Sequence, residues 1–314
     1  MRFSVVIPLY NKAPYVAKAI ESVLAQTFAD YELVIVDDGS NDSSADIAIQ
    51  AIEGRVNCKV LQQENAGVSV ARNNGVAASN GDYLCFLDAD DWWESAFLEE
   101  MDKLIGEFPD AGIYGSNYTI VNETRHKTRV AKIGVDEGFE RGYINYFQTY
   151  SKTMYMPLWT GAVCIPRKVF EAMGGFPLGV KLGEDFLLWV HIALKHKVAL
   201  LNKPLSYYNQ DVDAANRGVG HLHDPKEHML WHLVDLEPIE ATNTDYKQLV
   251  DNLRIYDLMP YLVDKRYTVA ARQELDKVDW SRQPRKMVRE YKKPLVMLKL
   301  KTMMKRVLWN IIVG

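Results

Sequence analysis

Residues 81–91 read GDYLCFLDADD, an apolar segment that ends in a cluster of acidic residues. The apolar part has the composition of a buried strand. In extended chain, residues i and i+2 project to the same side, so Asp88 and Asp90 converge. Two close carboxylates repel each other unless a cation lies between them, and their hard oxygens suit Mg²⁺ or Mn²⁺. The alternative is a solvated acidic turn that caps a helix starting near Glu94.

Upstream of this stretch, apolar segments alternate with helical patterns. The apolar segments are Phe3–Pro8, Glu32–Val36, Cys58–Leu61 and Asp82–Leu87. Strands separated by helices of about ten to fifteen residues are typical of βαβ units. We therefore predict an α/β fold, with a mostly parallel central sheet flanked by helices. In such sheets ligands bind beyond the carboxyl ends of the strands, so the residues just after each strand are the functional candidates.

A second acidic cluster, DDGS at residues 37–40, follows the strand Glu32–Val36. An acid here is well placed to hydrogen-bond a ribose or a base edge, although these four residues also make a favourable turn on their own. No GxGxxG follows the first strand, where residues 8–11 read PLYN, and no GxxxxGK[ST] occurs in the chain. The sequence therefore argues against nicotinamide cofactors and P-loop hydrolysis.

Two predicted helix starts carry charged residues. Gly67 opens a helix in which Arg72 lies about one turn in, within reach of a diphosphate or a base, unless it faces solvent. Glu184 and Asp185 follow Gly183 at the start of an apolar helix. A carboxylate there could cap the helix, or it could deprotonate an acceptor hydroxyl beside a metal-bound diphosphate.

The composition is that of a globular protein, with 314 residues of which 48% are hydrophobic and 25% charged. This balance excludes disorder and fibrous repeats. The three cysteines lack zinc-ligand spacing and indicate a reducing compartment. We find no signal-peptide pattern and no apolar run of about 18 residues, so we expect a cytoplasmic protein without a membrane span.

Charge is distributed unevenly along the chain. Ten basic residues and one glutamate between Arg282 and Arg306 give that segment a charge of +9, which leaves −13 for the rest. From Leu300 to Ile311, apolar residues recur at i, i+3, i+4, i+7, i+8 and i+11, which predicts an amphipathic helix with a cationic polar face. We predict that this tail binds an anionic membrane surface. Docking on its own domain or a dimer contact is the alternative, whereas the acidic body argues against nucleic acid.

The order of the motifs resembles the family 2 inverting glycosyltransferases of the GT-A fold over residues 1–210. The motifs are, in order, VVIPLYN, VDDGS, NAGVSVARNNG, GDYLCFLDADD, and GGF with GED downstream. The resemblance implies one domain with a nucleotide-binding half, residues 1–98, and an acceptor half, residues 99–210. Residues 211–314 would be a mostly helical C-terminal extension that ends in the basic tail.

The resemblance also implies roles in donor binding. Pro8, Tyr10 and Asp38 would hold the nucleotide base, and Arg72 would lie near the base or the diphosphate. Asp88 would lie near the ribose.

Catalysis is implied for two further residues. Asp90, the second aspartate of the DXD motif, would be the main ligand of Mg²⁺ or Mn²⁺. Asp185 would be the base that deprotonates the acceptor in a single in-line displacement with inversion.

Histidines and one arginine downstream are additional candidates. Arg217, His221 and His223 could contact the diphosphate or the metal ion. His228 and His232 are spaced i, i+4 but lack the HExxH pattern, so we expect them at the surface or in packing.

We therefore expect a metal-dependent inverting hexosyltransferase. It would use a nucleoside-diphosphate sugar, UDP-linked, to extend a saccharide or lipid-linked acceptor in polysaccharide or glycolipid synthesis. We expect it in the cytoplasm or on the inner face of the membrane.

Two alternative functions fit parts of the sequence. One alternative is a nucleotide-sugar-forming nucleotidyltransferase, which would need a Gly-rich basic loop after Pro8. The other is a non-catalytic binding or scaffold protein on the same fold, which would have no chemical need for both Asp90 and Asp185.

Overall fold

The computed structural model of the chain describes residues 1–211 and 222–299. The chain divides into two compact units, Met1–Gly220 and His221–Gly314. The domain bounds predicted from the sequence, 1–210 and 211–314, stay a prediction.

The first unit is a central sheet flanked by helices. Its strands are β1 (Phe3–Leu9), β2 (Tyr31–Asp37), β3 (Cys58–Gln62), β4 (Tyr83–Phe86), β5 (Trp92–Trp93), β6 (Ala111–Asn122), β7 (Lys127–Val130), β8 (Arg141–Ile144), β9 (Val163–Pro166) and β10 (Lys197–Asn209). Its helices are α1 (Val16–Leu24), α2 (Ser44–Ala51), α3 (Val68–Ala77), α4 (Phe97–Glu107), α5 (Tyr146–Thr153), α6 (Arg167–Ala172) and α7 (Glu184–Lys195). This arrangement confirms the predicted α/β fold.

Within the described residues, the strands form a single sheet in the order β3-β2-β1-β4-β9-β6-β10-β5, with β7 beside β6 and β8 beside β10. Strands β3, β2, β1 and β4 are parallel. Strand β9 lies antiparallel between β4 and β6, whereas β6 and β10 are parallel to each other. The sheet is therefore parallel in its first half and mixed in its second.

The parallel half brings the candidate residues to one edge of the sheet. Every residue of β1 and β2 is buried, because helices cover both faces of this half. The register pairs Leu9 with Asp37 and Val6 with Phe86, so the segments that follow β1, β2 and β4 lie side by side.

The second unit is helical. Its helices are α8 (Glu237–Glu240), α9 (Thr244–Asp257), α10 (Met259–Val263), α11 (Thr268–Asp276) and α12 (Arg285–Tyr291), and residues 295–299 are also helical. The fully buried guanidinium of Arg254 joins three of them, because it contacts Glu240 at 2.7 Å and Glu274 at 3.3 Å. A buried arginine needs such partners, so this network fixes how α8, α9 and α11 pack.

The basic tail is only partly within the described residues. Its first part includes α12, whereas the predicted amphipathic helix from Leu300 to Ile311 lies outside them. None of the helices in residues 1–211 and 222–299 has the length and apolar character needed to cross a bilayer.

Candidate active site

A buried arginine joins two of the motifs. Only 3% of the Arg72 side chain, on α3, is exposed; it donates to Asp88 Oδ1 at 2.7 Å and to Glu184 Oε1 at 2.9 Å. Its guanidinium carbon lies 4.9 Å from the centre of the Phe176 ring. Burial alone would lower the pKa of Arg72, but the two carboxylates raise it above its ordinary value. Arg72 therefore stays charged, and the solvent-facing alternative is wrong.

Asp90 faces a cation of the protein itself. Its Oδ2 accepts a hydrogen bond from Lys12 Nζ at 2.6 Å, and both side chains are largely buried. Burial raises the pKa of Asp90, Lys12 opposes that shift and the neighbouring Asp88 adds to it. The alternative of a solvated turn capping the next helix does not describe this loop, since α4 begins only at Phe97 and has no side-chain cap.

Asp91 is more deeply buried than Asp90, and two hydrogen-bond donors of the protein hold its carboxylate. It accepts hydrogen bonds from Trp159 Nε1 at 3.2 Å and from the backbone N–H of Asn209 at 2.8 Å. Burial, together with the charges of Asp90 and Asp88, raises the pKa of Asp91 well above its ordinary value. Asp91 thereby ties the loop after β4 to the end of β10.

The predicted base lies at the start of α7. Asp185 Oδ2 accepts a hydrogen bond from Thr160 Oγ1 at 2.6 Å, and Oδ1 accepts one from the backbone N–H of Phe186 at 2.7 Å. The N-cap is Gly183, whose φ of 84° lies in the left-handed region that glycine adopts without strain. Asp185 is therefore held by side-chain and backbone donors and is not itself the cap.

Glu184, the residue before Asp185, is in contact with Arg72. Burial and the charge of Asp185 raise the pKa of Glu184 to about 7, although the Arg72 guanidinium opposes the shift. Because Arg72 bonds both Glu184 and Asp88, one guanidinium links the loop after β4 to the residue next to the predicted base.

Asp38 organises the loop that begins α3. Its buried carboxylate accepts hydrogen bonds from Gln63 Nε2 at 2.7 Å, from the Ala66 N–H at 2.8 Å and from the Gly67 N–H at 2.9 Å. Three donors thus already engage its oxygens, and the base contact predicted for Asp38 stays a prediction.

The residues predicted to accompany Asp38 lie at the end of β1. Pro8 is buried within the strand, and Tyr10 follows the strand end with an exposed side chain. Their contact with a nucleotide base also stays a prediction.

An aromatic group adjoins the aspartates. The half-buried Trp159 ring lies 5.6 Å from the Tyr118 ring and 4.2 Å from the Tyr208 ring, centre to centre. Because Trp159 also donates to Asp91, these rings are fixed beside the loop after β4.

Sequence reasoning missed two residues of this site, Lys12 and Thr160. Lys12 follows the first strand in the stretch PLYNK, and its position just beyond a strand end could have marked it as a candidate. Thr160 lies in the segment WTG at residues 159–161, and no local signal relates it to Asp185.

The diphosphate or metal contacts predicted for Arg217, His221 and His223 stay predictions. Arg217 and His221 lie outside the described residues, and His223 belongs to the second unit. His228 is buried against the rings of Trp231 and Tyr261, as expected of a packing histidine.

Asp88 and Asp90 have the chemistry to hold a divalent cation. Within residues 1–211 and 222–299, no three or more His, Cys, Asp or Glu side chains are grouped so that they could bind a metal ion. The two aspartates nevertheless fit a metal that takes most of its ligands from phosphate and water, as Mg²⁺ does. In this structure the Lys12 ammonium already contacts Asp90 Oδ2, at 2.6 Å.

Comparison with known proteins gives consistent matches. The profile of the family described as "Glycosyl transferase family 2" matches residues 4–169. The chain is similar to glycosyltransferase GlyA of Streptococcus pneumoniae, with 33% identity over 214 residues, which cover 66% of this chain and 30% of that protein. It is also similar to an uncharacterized glycosyltransferase of Rickettsia felis, with 30% identity over 65% of this chain and 32% of the relative. The matched part is thus about a third of the length of these relatives.

Solved structures share the fold. S. aureus TarS 1–349 in complex with UDP-GlcNAc matches with a TM-score of 0.68 and 20% identity, covering 88% of this chain and 79% of that one. The mannosyltransferase PcManGT from Pyrobaculum calidifontis, in complex with GDP-Man and Mn²⁺, matches with a TM-score of 0.51 and 17% identity, over 90% of this chain and 88% of that one. These likenesses identify the first unit as a GT-A fold.

Proposed function

The chain belongs to glycosyl transferase family 2, and on that premise we propose that it transfers a sugar from a nucleoside-diphosphate sugar to a saccharide acceptor. The observation that carries the proposal is the double contact of Arg72. This buried side chain holds Asp88 of the DXD motif and Glu184, the residue before the base, so the donor and acceptor motifs share one rigid cluster. Rigid placement of reacting groups is a large part of enzymatic rate enhancement.

In the proposed reaction Asp185 accepts the proton of the acceptor hydroxyl. The hydroxyl oxygen attacks the anomeric carbon, and the bond from that carbon to the diphosphate oxygen breaks with its electron pair left on the diphosphate. A single displacement from the opposite side inverts the anomeric centre. Thr160 Oγ1 holds Oδ2 of Asp185 and the Phe186 N–H holds Oδ1, so the carboxylate is oriented while each oxygen keeps a further lone pair that can accept the proton.

The leaving diphosphate needs positive charge. Asp88 and Asp90 would hold Mg²⁺ or Mn²⁺, which neutralises the charge that develops on the leaving group. Lys12, in contact with Asp90, adds a fixed cation at the same place. The half-buried Trp159 and Tyr208 rings offer aromatic surface on which a sugar can stack, and the buried Tyr118 ring supports Trp159 from the protein side.

We assign UDP as the nucleotide, a hexose as the sugar, and a saccharide or lipid-linked saccharide as the acceptor. Two of the structural neighbours are complexes with UDP-GlcNAc and UDP, and a third is a complex with GDP-Man, which supports a nucleotide-sugar donor. The cationic, amphipathic pattern of the tail supports a peripheral position on an anionic membrane, where a lipid-linked acceptor would be met.

The first test is the thermal stability of the full chain with UDP, GDP, dTDP or CMP, each with and without Mn²⁺. A ligand at a hundred times its Kd stabilises the folded state by about 2.7 kcal/mol. We expect a Mn²⁺-dependent rise in the midpoint with UDP. No shift with any nucleotide, in a folded sample, would instead support a scaffold protein.

The second test separates chemistry from binding. Asp185→Asn should preserve the UDP-dependent stabilisation and reduce sugar transfer by about 10²- to 10⁴-fold, the usual contribution of a positioned base. The matched control is Asp46→Asn, an exposed aspartate on α2, which should leave both unchanged. An equal loss of nucleotide binding in Asp185→Asn would make Asp185 a structural residue.

A further inference from the structure

The second unit contains a cavity of about 330 Å³. Its apolar lining includes the nearly buried side chains of Leu262, Leu275 and Leu298. Trp280 and Tyr291 also line it, with their ring centres 5.3 Å apart. A cavity of this volume is at the lower end of the range of about 300–1,000 Å³ that small-molecule sites occupy.

Basic side chains surround this apolar lining. Arg272, Lys292 and Lys293 line the cavity, together with one acid, Asp276. Lys293 pairs with Glu290 at 2.7 Å, whereas Arg272 and Lys292 form no ion pair with any residue of the described ranges. The cavity therefore combines an apolar interior with two cations that form no ion pair within the described residues, beside a single acid, Asp276.

Exposed apolar side chains continue from the cavity to the surface. Leu295 and Leu298 line it, and the two residues between them, Val296 and Met297, are 69% and 53% exposed. Apolar surface next to unpaired cations is the combination found where proteins contact amphipathic anions.

We propose that this cavity binds a single-chain phosphate amphiphile, with the hydrocarbon chain against the leucines and aromatic rings and the phosphate at Arg272 and Lys292. Burial of the CH₂ groups of the chain against this apolar lining favours binding. The guanidinium and ammonium groups supply charge-assisted hydrogen bonds to the phosphate oxygens. The site lies in the second unit, so the proposal does not depend on glycosyl transfer.

The tail of the chain is a poorer occupant than such an anion. Residues 300–314 contain Lys301, Lys305 and Arg306 and no acidic residue. Like charges would oppose the insertion of this segment among Arg272 and Lys292. The charge of the cavity thus selects an anion.

Calorimetric titration of the full chain with decyl phosphate tests the proposal. Inorganic phosphate and the uncharged decyl maltoside serve as the two comparison ligands, each lacking one half of the amphiphile. We expect binding of decyl phosphate and at least tenfold weaker binding of both comparison ligands, a difference of about 1.4 kcal/mol or more. Equal affinity for inorganic phosphate or for decyl maltoside would overturn the proposal, and so would no binding of decyl phosphate.

Two substitutions in the cavity lining and one control substitution outside it test whether the ligand binds in the cavity. Lys292→Glu removes a cation that lines the cavity, and Lys286→Glu makes the same charge change at an exposed position on α12 that does not line it. We expect about tenfold weaker decyl phosphate binding in the first variant and wild-type binding in the second. Val288→Trp, which fills part of the cavity, should also weaken binding, with circular dichroism confirming the fold. Equal affinities of Lys292→Glu and Lys286→Glu would place the ligand elsewhere and overturn the proposal.

Discussion

The hydroxyl group of Thr160 is the side-chain donor to the predicted base, Asp185, at 2.6 Å. Thr160→Val keeps the shape of the side chain but removes this donor. A hydrogen bond to a charged group is worth about 1.5–3 kcal/mol, so we expect kcat to fall about 10- to 100-fold if the bond orients the base. The measurement is kcat for sugar transfer, together with the Kd for UDP, which should stay within about twofold.

Thr160→Ser is the matched control for this prediction. It keeps the hydroxyl and loses only a methyl group, so most of the activity should return. A parallel fall of kcat and UDP affinity in Thr160→Val would indicate that the residue only stabilises the fold.

A second residue, His228, contributes to the response of the second unit to acid. His228 is 1% exposed; burial and, to a lesser degree, His223 and His232 lower its pKa to about 4 from 6.5. Between these two values the unfolded chain binds a proton at His228 that the folded chain does not, so the contribution of His228 to stability falls as the pH falls from about 6.5 to about 4. Burial raises the pKa of Asp257 to about 6, and this acts in the opposite direction. The loss from His228 is about 3 kcal/mol at most. Hydrogen exchange of amides in α9 and α10, corrected for the intrinsic rates, measures it.

The control for this pH effect is His228→Gln, which cannot titrate. The difference in stability between the wild type and this variant should shrink as the pH falls from 6.5 to 4. A difference that is constant over this range would contradict the assignment to His228.

Part of the candidate site could be predicted from the sequence. Asp88, Asp90 and Asp185 follow a strand end or begin a helix, and these positions are visible in the local pattern. Lys12 and Thr160 could not be related to their partners in this way. Lys12 is 78 positions from Asp90, and Thr160 is 25 from Asp185, so only the folded register brings them together.

Helix α3, which carries Arg72, packs unusually close to the sheet. A Cβ at Gly75 would lie 2.4 Å from Val6 Cγ1 and 3.2 Å from Val36 Cγ2. Gly75→Ala would therefore force α3 away from β1, at a cost of about 1–3 kcal/mol. For a unit of this size we expect the thermal midpoint to fall by about 2–4 °C per kcal/mol.

Gly106 on α4, unlike Gly75, has open space where a side chain would be. No atom lies within 4 Å of the position where its Cβ would be. Gly106→Ala should therefore stabilise the helix by up to about 1 kcal/mol, because alanine loses less backbone entropy than glycine. We therefore expect opposite shifts in the two variants. Midpoints that rise in both, or fall in both, would show that the effect of the added methyl group does not depend on the close approach of α3 to β1.

The elements of the parallel half follow from the apolar pattern more closely than those of the mixed half. The predicted strand Phe3–Pro8 differs from β1 by one residue, because a strand buried on both faces is a continuous apolar run. In β10, by contrast, only the first part, residues 197–201, has such an apolar run. Beyond it, polar residues and Pro204 interrupt the run, and pairing with β6 through register shifts maintains the strand. The antiparallel direction of β9 depends on tertiary contacts that no local pattern encodes.

Over the whole molecule, charge separates into an acidic body and a basic terminal segment. The segment from Arg282 to Arg306 carries +9 and the rest of the chain −13. Such a division gives attraction to an anionic surface through one end only, while the body is repelled. Membrane binding should therefore depend on where the cations lie and not on net charge.

The tail prediction tests this dependence directly. Lys301→Glu, Lys305→Glu and Arg306→Glu, combined in one chain, should weaken sedimentation with phosphatidylglycerol vesicles. Each basic residue near an anionic surface is worth about 1 kcal/mol, so loss of three corresponds to a partition coefficient about 100-fold lower. The matched control reverses three exposed cations of the first unit, at Arg55, Lys127 and Lys168. Both variants change the net charge equally, so an equal loss of sedimentation in the two would show that overall charge, and not the tail, drives binding. The loss should also diminish at high salt, because screening removes the attraction that the tail supplies.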